Sequence, residues 1–225
     1  MENSDALSFD LHPPPGLTIK VRRVGSALQM PGACWPRPRG YCGIELESPD
    51  LSWNDFKDPL RLNAIVSEVC ASPHTLFFII SAPPGFGSDP LTLKALVRLV
   101  KLLHSKNHLW SLDAAFSDVP CGDRNFTRLL YWPGVRSLEF HTCMYNLRRD
   151  ASSSRHMHRR ILISNVPQLS GFVKTCDGSH KHSQCRGRAR TPHGWLPVSE
   201  WERRPTASWS KAWWSAFGAS GPSAR

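Results

Sequence analysis

The run Leu76-Phe77-Phe78-Ile79-Ile80 limits what this chain can fold into more than any other stretch. It is short, uniformly apolar and rich in β-branched and aromatic side chains. Pro73 precedes it and Pro83-Pro84-Gly85 follows it. Such a run suits a strand covered on both faces, as strands in parallel sheets are. In Leu91–His104, Leu91, Leu93, Leu96, Val97, Val100 and Leu103 fall on one side and Lys94, Arg98 and Lys101 on the other. That spacing predicts an amphipathic helix, with Asp89-Pro90 as its start. Leu109–Leu112 predicts a second short strand. Strand, helix and strand in this order make a βαβ unit, so the expected fold class is α/β with a mostly parallel sheet.

The flanks of this unit read differently. Residues 1–43 carry Pro13-Pro14-Pro15-Gly16 and Trp35-Pro36-Arg37-Pro38-Arg39-Gly40. Proline removes backbone donors and fixes φ, so this segment is expected to be poorly ordered, with one short strand at Leu17–Val24. The expected domain is 44–182. It holds a helix from Asp58 to Cys70, a helical turn at Arg124–Leu130, strands at Val135–His141 and Ile161–Ser164, and a short helix at Leu169–Thr175. Residues 183–225 are Arg, Trp, Ser and Pro without a sustained period, and are expected to form a disordered basic tail.

The formal charge of +10 favours polyanionic partners, nucleic acid above all, and equally suits a solvated basic surface. Arg148, Arg149, Arg155, Arg159 and Arg160 form one basic group, and Arg186, Arg188, Arg190, Arg203 and Arg204 another. The number of cysteines is seven, and Met1–Leu11 lacks the apolar core of a signal peptide. An intracellular protein with reduced thiols is expected, nucleus and cytoplasm being undistinguished. No apolar run approaches the roughly 20 residues of a membrane span, so no membrane association is expected.

Three stretches can carry chemistry. Ser81-Ala82-Pro83-Pro84-Gly85-Phe86-Gly87 follows the buried strand, where open α/β sheets place ligand sites; it equally suits a plain strand terminator. Asp113 ends the next strand and suits either a ligand-facing carboxylate or a local cap. The densest group of metal ligands is His141, Cys143, Cys176, His180 and His182. Cys143, Cys176, His180 and His182 would give zinc two thiolates and two imidazoles. Packed thiols and a solvated histidine pair fit the same spacing.

Together these pieces resemble cytosine-C5 DNA methyltransferase-like proteins of phages and some algal genomes. The resemblance spans about Leu76 to His182. It rests on Ala82-Pro83-Pro84, Trp110-Ser111-Leu112-Asp113, Pro133-Gly134-Val135, Glu139-Phe140-His141-Thr142-Cys143-Met144-Tyr145, Ile163-Ser164-Asn165-Val166-Pro167 and Cys176-Asp177-Gly178-Ser179-His180-Lys181-His182. It implies a Rossmann-like sheet, incomplete here, that binds S-adenosylmethionine near Pro83, Pro84 and Gly85. It also implies a base flipped from the duplex and attacked by a thiolate. The attacking cysteine's position is Gly85, which has no side chain to form the adduct. The acid that holds the base edge corresponds to Asp113, one methylene shorter. The expectation is a catalytically inactive, degenerate methyltransferase-like protein that retains nucleic-acid contact. Two alternatives stand beside it: an active methyltransferase on another acceptor, and a small zinc-stabilised interaction module.

Overall fold

The computed structural model describes residues 19–25, 44–46, 51–83, 85–146, 154–183, 188–191 and 194–197. Its centre is a six-stranded sheet of β1 (Ile19–Val24), β2 (Ile44–Leu46), β3 (Thr75–Ser81), β4 (Leu109–Ala115), β5 (Arg136–His141) and β7 (Arg159–Ser164), in the order β2-β1-β3-β4-β7-β5. β1 pairs in parallel with β2 and β3, and β3 in parallel with β4. β7 is antiparallel to both β4 and β5, so the other five strands share one direction. The fold is therefore mixed α/β with a mostly parallel sheet. The reversal at β7 has a local cause. His141 ends β5 opposite Arg159, the first residue of β7. Among the described residues the chain between them holds only a 3-10 turn (Thr142–Tyr145) and the two-residue β6 (Arg155–His156), no helix that could carry a parallel crossover.

The βαβ unit forms as the periodicity predicts, except that Leu91, expected on the apolar side of its helix, is exposed in line with Lys94, Arg98 and Lys101 because it lies in the first turn, beyond the edge of the core. β3 has a fully buried interior, and α3 (Pro90–Ser105) packs between it and β4 in sequence. Asp89 caps α3 by accepting from Leu91 N, and Pro90 sits where its missing donor costs nothing. α1 (Trp53–Lys57) starts with a reciprocal Ser52–Asp55 cap, and α2 (Pro59–Ala71) with Asp58 and Pro59. Alternation along β3 and β4 divides the core into two layers. Leu76, Phe78 and Ile80 join Trp110, Leu112 and Ala114 beneath the helices α1, α2, α3 and α4 (Arg124–Leu129). Phe77, Ile79 and Leu109 face the other way, onto Phe140, Tyr145, Leu162 and Leu169. That second layer is closed by 3-10 turns, including Pro167–Phe172, where a short helix at Leu169–Thr175 was expected.

Buried His108 ties the helical layer to the sheet. Its Nδ1 accepts from Leu76 N at 3.3 Å, which leaves Nε2 to donate to Val69 O at 3.1 Å. Two boundaries differ from expectation. β1 lies upstream of residue 44 yet stands inside the sheet, because Ile19, Val21 and Val24 are buried in both core layers. β4 runs to Ala115, so Asp113 sits within the strand. Downstream, β8 (His182–Ser183) pairs in parallel with β6, and β9 (Arg188–Thr191) with β10 (Gly194–Pro197) as a hairpin in the stretch expected to be a tail. Among the described residues no helix is long and apolar enough to cross a membrane.

Gly25, at the carboxyl end of β1, marks a close approach of backbones. Its φ is +134°, and a Cβ there would lie 2.6 Å from Ser81 O. Gly25→Ala is expected to destabilise the protein by about 2 kcal/mol or more, since strain and overlap act together. Urea unfolding measures this; an unchanged midpoint rules the close approach out.

Candidate functional site

Two regions hold the residues singled out in the sequence: the carboxyl edge of the parallel strands, and the cysteine–histidine group beyond β5.

At the strand edge, Ser81 and Asp113 are register partners, and Ala82 N donates to Asp113 O at 2.9 Å. The bend after β3 and the aspartate of β4 are thus neighbours. What surrounds them is occupied by protein groups. Asp113 Oδ1 accepts from Arg160 Nε at 2.8 Å, and both side chains are largely buried. Gly85, at φ +65°, donates its N–H to Asp118 Oδ2 at 2.9 Å. A Cβ on Gly87 would lie 2.3 Å from Asp118 O. The loops after β3 and β4 therefore press against each other, backbone on backbone. Trp53 Nε1 donates to Ser81 O at 2.8 Å and covers the edge from α1. Pro83 and Gly85 lie at this edge; Pro84 lies outside the described residues.

The second region brings together all four residues expected as metal ligands. One ligand atom from each of Cys143, Cys176, His180 and His182 lies within 4.8 Å of every other. Cys176 Sγ is 3.8 Å from His180 Nε2 and 3.4 Å from His182 Nε2. A tetrahedral zinc with its usual S and N bond lengths separates such atoms by about 3.6 Å. The group can hold a metal ion.

Local sequence explains how distant residues meet. Cys143 sits in the 3-10 turn that ends β5, fully buried. Asp177 Oδ1 accepts from Ser179 N at 2.9 Å, and Gly178 takes φ +77°; this turn reverses the chain and returns His180 toward Cys176. Gly178 N also donates to Cys176 Sγ at 3.4 Å, which fixes the sulfur in this turn. β8 holds His182 beside Arg155. Thr142 Oγ1 donates to His156 O at 3.0 Å and accepts from His158 N at 2.9 Å, which stitches β6 to the turn that carries Cys143.

His141, also weighed as a ligand, lies outside the group of four and supports it. Its Nδ1 accepts from Cys176 N at 2.9 Å, which leaves the proton on Nε2, 3.1 Å from Glu139 Oε1. Arg159 donates to both Glu139 oxygens, at 2.6 and 3.0 Å, and stacks over Phe116. Arginine, glutamate, histidine and ligand backbone form one chain of hydrogen bonds, as outer-shell partners of metal ligands do. Sequence reasoning missed the roles of Glu139, Arg159 and Asp118; alternation along β5 does put Glu139 and His141 on one face, which was a usable signal.

Electrostatics suit a metal that displaces a proton. Burial pushes the Cys143 thiol up to about 11, with neighbouring Cys176 adding to the shift. Burial lowers His180, and the nearby charge of Arg155 lowers it further, which favours the neutral imidazole that ligates a metal. Hydrogen bonds from Ser179 lower Asp177. Of the arginines expected to grip phosphates, Arg159 and Arg160 already have carboxylate partners, and Arg148, Arg149, Arg186, Arg203 and Arg204 lie outside the described residues.

No family model, curated protein or solved structure matches this chain.

Proposed function

We propose that this chain is a catalytically silent, methyltransferase-like α/β domain of Rossmann-like type whose C-terminal part is closed by a structural zinc. The observation that carries the metal half is the convergence of Cys143, Cys176, His180 and His182 from two separate segments, with their ligand atoms within 4.8 Å of one another. Four protein ligands leave no open coordination position, so such a metal is structural. When bound, it would cross-link the end of β5 to the segment after Pro167–Phe172. The domain half of the reading is an analogy of fold and motif.

The silent half follows from the chemistry of the strand edge. Gly85 stands where the resemblance expects the attacking thiol, and its N–H is held by Asp118. Asp113, in the position of the base-edge acid, is held by Arg160. Without a nucleophilic sulfur the base ring cannot be activated by adduct formation, so no transfer step is derived for this chain. At the position that the resemblance gives to S-adenosylmethionine, Trp53 bonds Ser81 O and Gly87 lies against Asp118 O, so these groups offer no donor or acceptor set for the cofactor.

The protein is expected to transfer no labelled methyl group from S-adenosylmethionine to cytosine-containing DNA, and to carry about one zinc per chain by elemental analysis. Stoichiometric transfer overturns the silent half; a metal-free protein overturns the other. Exposed Cys121 neighbours Pro120, which packs at Gly87. Transfer that disappears in Cys121→Ser would place the reactive thiol there, and the alternative of an active enzyme would then stand.

A further inference from the structure

The solvent-facing side of α3 differs from the other helix surfaces. Beyond its first residue, its fully exposed positions are Leu91, Lys94, Arg98, Lys101 and Ser105, one stripe at spacings of three and four. The stripe borders a cleft of about 910 Å³ toward the loop before α4. Leu93, Val97 and Pro120 contribute apolar lining, and Lys94, Arg98 and Lys101 form a cationic wall. No carboxylate among the described residues pairs with these three cations. Asp123, which also lines the cleft, is committed to capping α4, accepting from Phe126 N at 2.8 Å.

We propose that this cleft docks an acidic, amphipathic helical segment of a partner protein, its carboxylates along Lys94, Arg98 and Lys101 and its aliphatic side chains over Leu91 and the apolar lining. The fit is one of charge and of pitch. Lys94 and Lys101 are about 10 Å apart along the axis, so a second helix beside α3 presents carboxylates at the same spacing. Leu91 is 71% exposed at the end of the stripe, an apolar anchor that a phosphate backbone does not use. No aromatic side chain lines the cleft, so single-stranded nucleic acid finds no stacking platform there. The proposal is independent of the zinc reading.

The test is fluorescence anisotropy with the full-length protein as purified and a labelled helix-forming peptide of about 14 residues, with Glu and Leu at helical spacing on one face. The peptide is expected to bind, and its Lys-for-Glu counterpart is not. The Lys94→Glu/Arg98→Glu/Lys101→Glu variant is expected to weaken binding about tenfold or more, since three exposed pairs turn repulsive. Leu91→Ser is expected to weaken it a few-fold. A Lys106→Glu/Arg128→Glu/Arg136→Glu variant makes the same change in net charge at exposed sites elsewhere and is expected to bind as the parent does. Equal loss in both triple variants means net charge alone attracts the peptide and overturns the proposal. So does absence of peptide binding, and so does an oligonucleotide that binds more tightly through the same three residues, which would make the partner a nucleic acid.

Discussion

Removing the metal is expected to lower the thermal midpoint by about 10 °C. Free zinc a thousandfold above its dissociation constant adds about 4 kcal/mol to a folded state that alone binds it. For a chain of this size each kcal/mol moves the midpoint by roughly 2–4 °C. The effect should be concentrated where the ligands are. Beyond Val173, which packs on the second core layer, no side chain from residue 174 to residue 183 is fully buried, so little apolar contact holds this segment in place. Its attachments are hydrogen bonds, chiefly from Cys176 N to His141 and from Ser183 Oγ to Ser154 O. Without the metal, trypsin should cut at Lys174 and Lys181 well before the strands β3 and β4 open. Cys176→Ser should show the lower midpoint and the early cleavage with zinc present, and no further response to a chelator. His141→Ala keeps all four ligands but frees the backbone of one, and should weaken zinc about 10–100-fold. Because burial holds the Cys143 thiol protonated, zinc uptake must expel its proton, and uptake should therefore strengthen as pH rises. Superimposable unfolding and proteolysis with and without a strong chelator would dispose of the structural zinc.

The sheet's centre was legible because its signals are local. A buried apolar run bounded by prolines, then an apolar stripe at helical period opened by Asp89-Pro90, specify a strand and a helix whatever lies around them. The four-ligand group was legible because cysteine and histidine advertise their chemistry by type alone. What the sequence hid depends on pairing between distant segments. Nothing in Arg159–Ser164 announces that it enters the sheet in reverse, since a buried strand reads the same in either direction. β1 was expected as a strand but left outside the domain because prolines crowd its surroundings, although tertiary contacts hold it in the sheet. His141 belongs by residue type to the ligand group, and only its hydrogen bond to Cys176 N assigns it a supporting place. Asp113 was weighed as a ligand-facing acid or a local cap, and the structure gives its carboxylate to an arginine 47 residues on.

That last pairing sets the second large effect. Asp113→Ala is expected to cost about 3 kcal/mol, the lower end for breaking a buried ion pair, because some water still reaches both partners. The side chains retain 15% and 10% of their exposure for Asp113 and Arg160. The loss comes less from the attraction itself than from leaving the buried Arg160, which stands between Ala115 and Phe140 in the sheet, with no anion beside it. The double variant Asp113→Leu/Arg160→Met removes both charges at similar volume and should return to within about 1 kcal/mol of the parent. This pattern separates the two roles open to Asp113. An acid kept for a base edge would be free to leave, and Asp113→Ala would then cost little stability while weakening DNA contact. An acid kept for Arg160 gives a large single-variant loss, near-complete recovery in the double variant, and DNA contact that is the same in all three proteins. Chemical unfolding of the three proteins decides it: if Asp113→Ala unfolds at the parent's urea concentration, the ion pair is not what holds this edge closed, and the case for a silent site loses its second support.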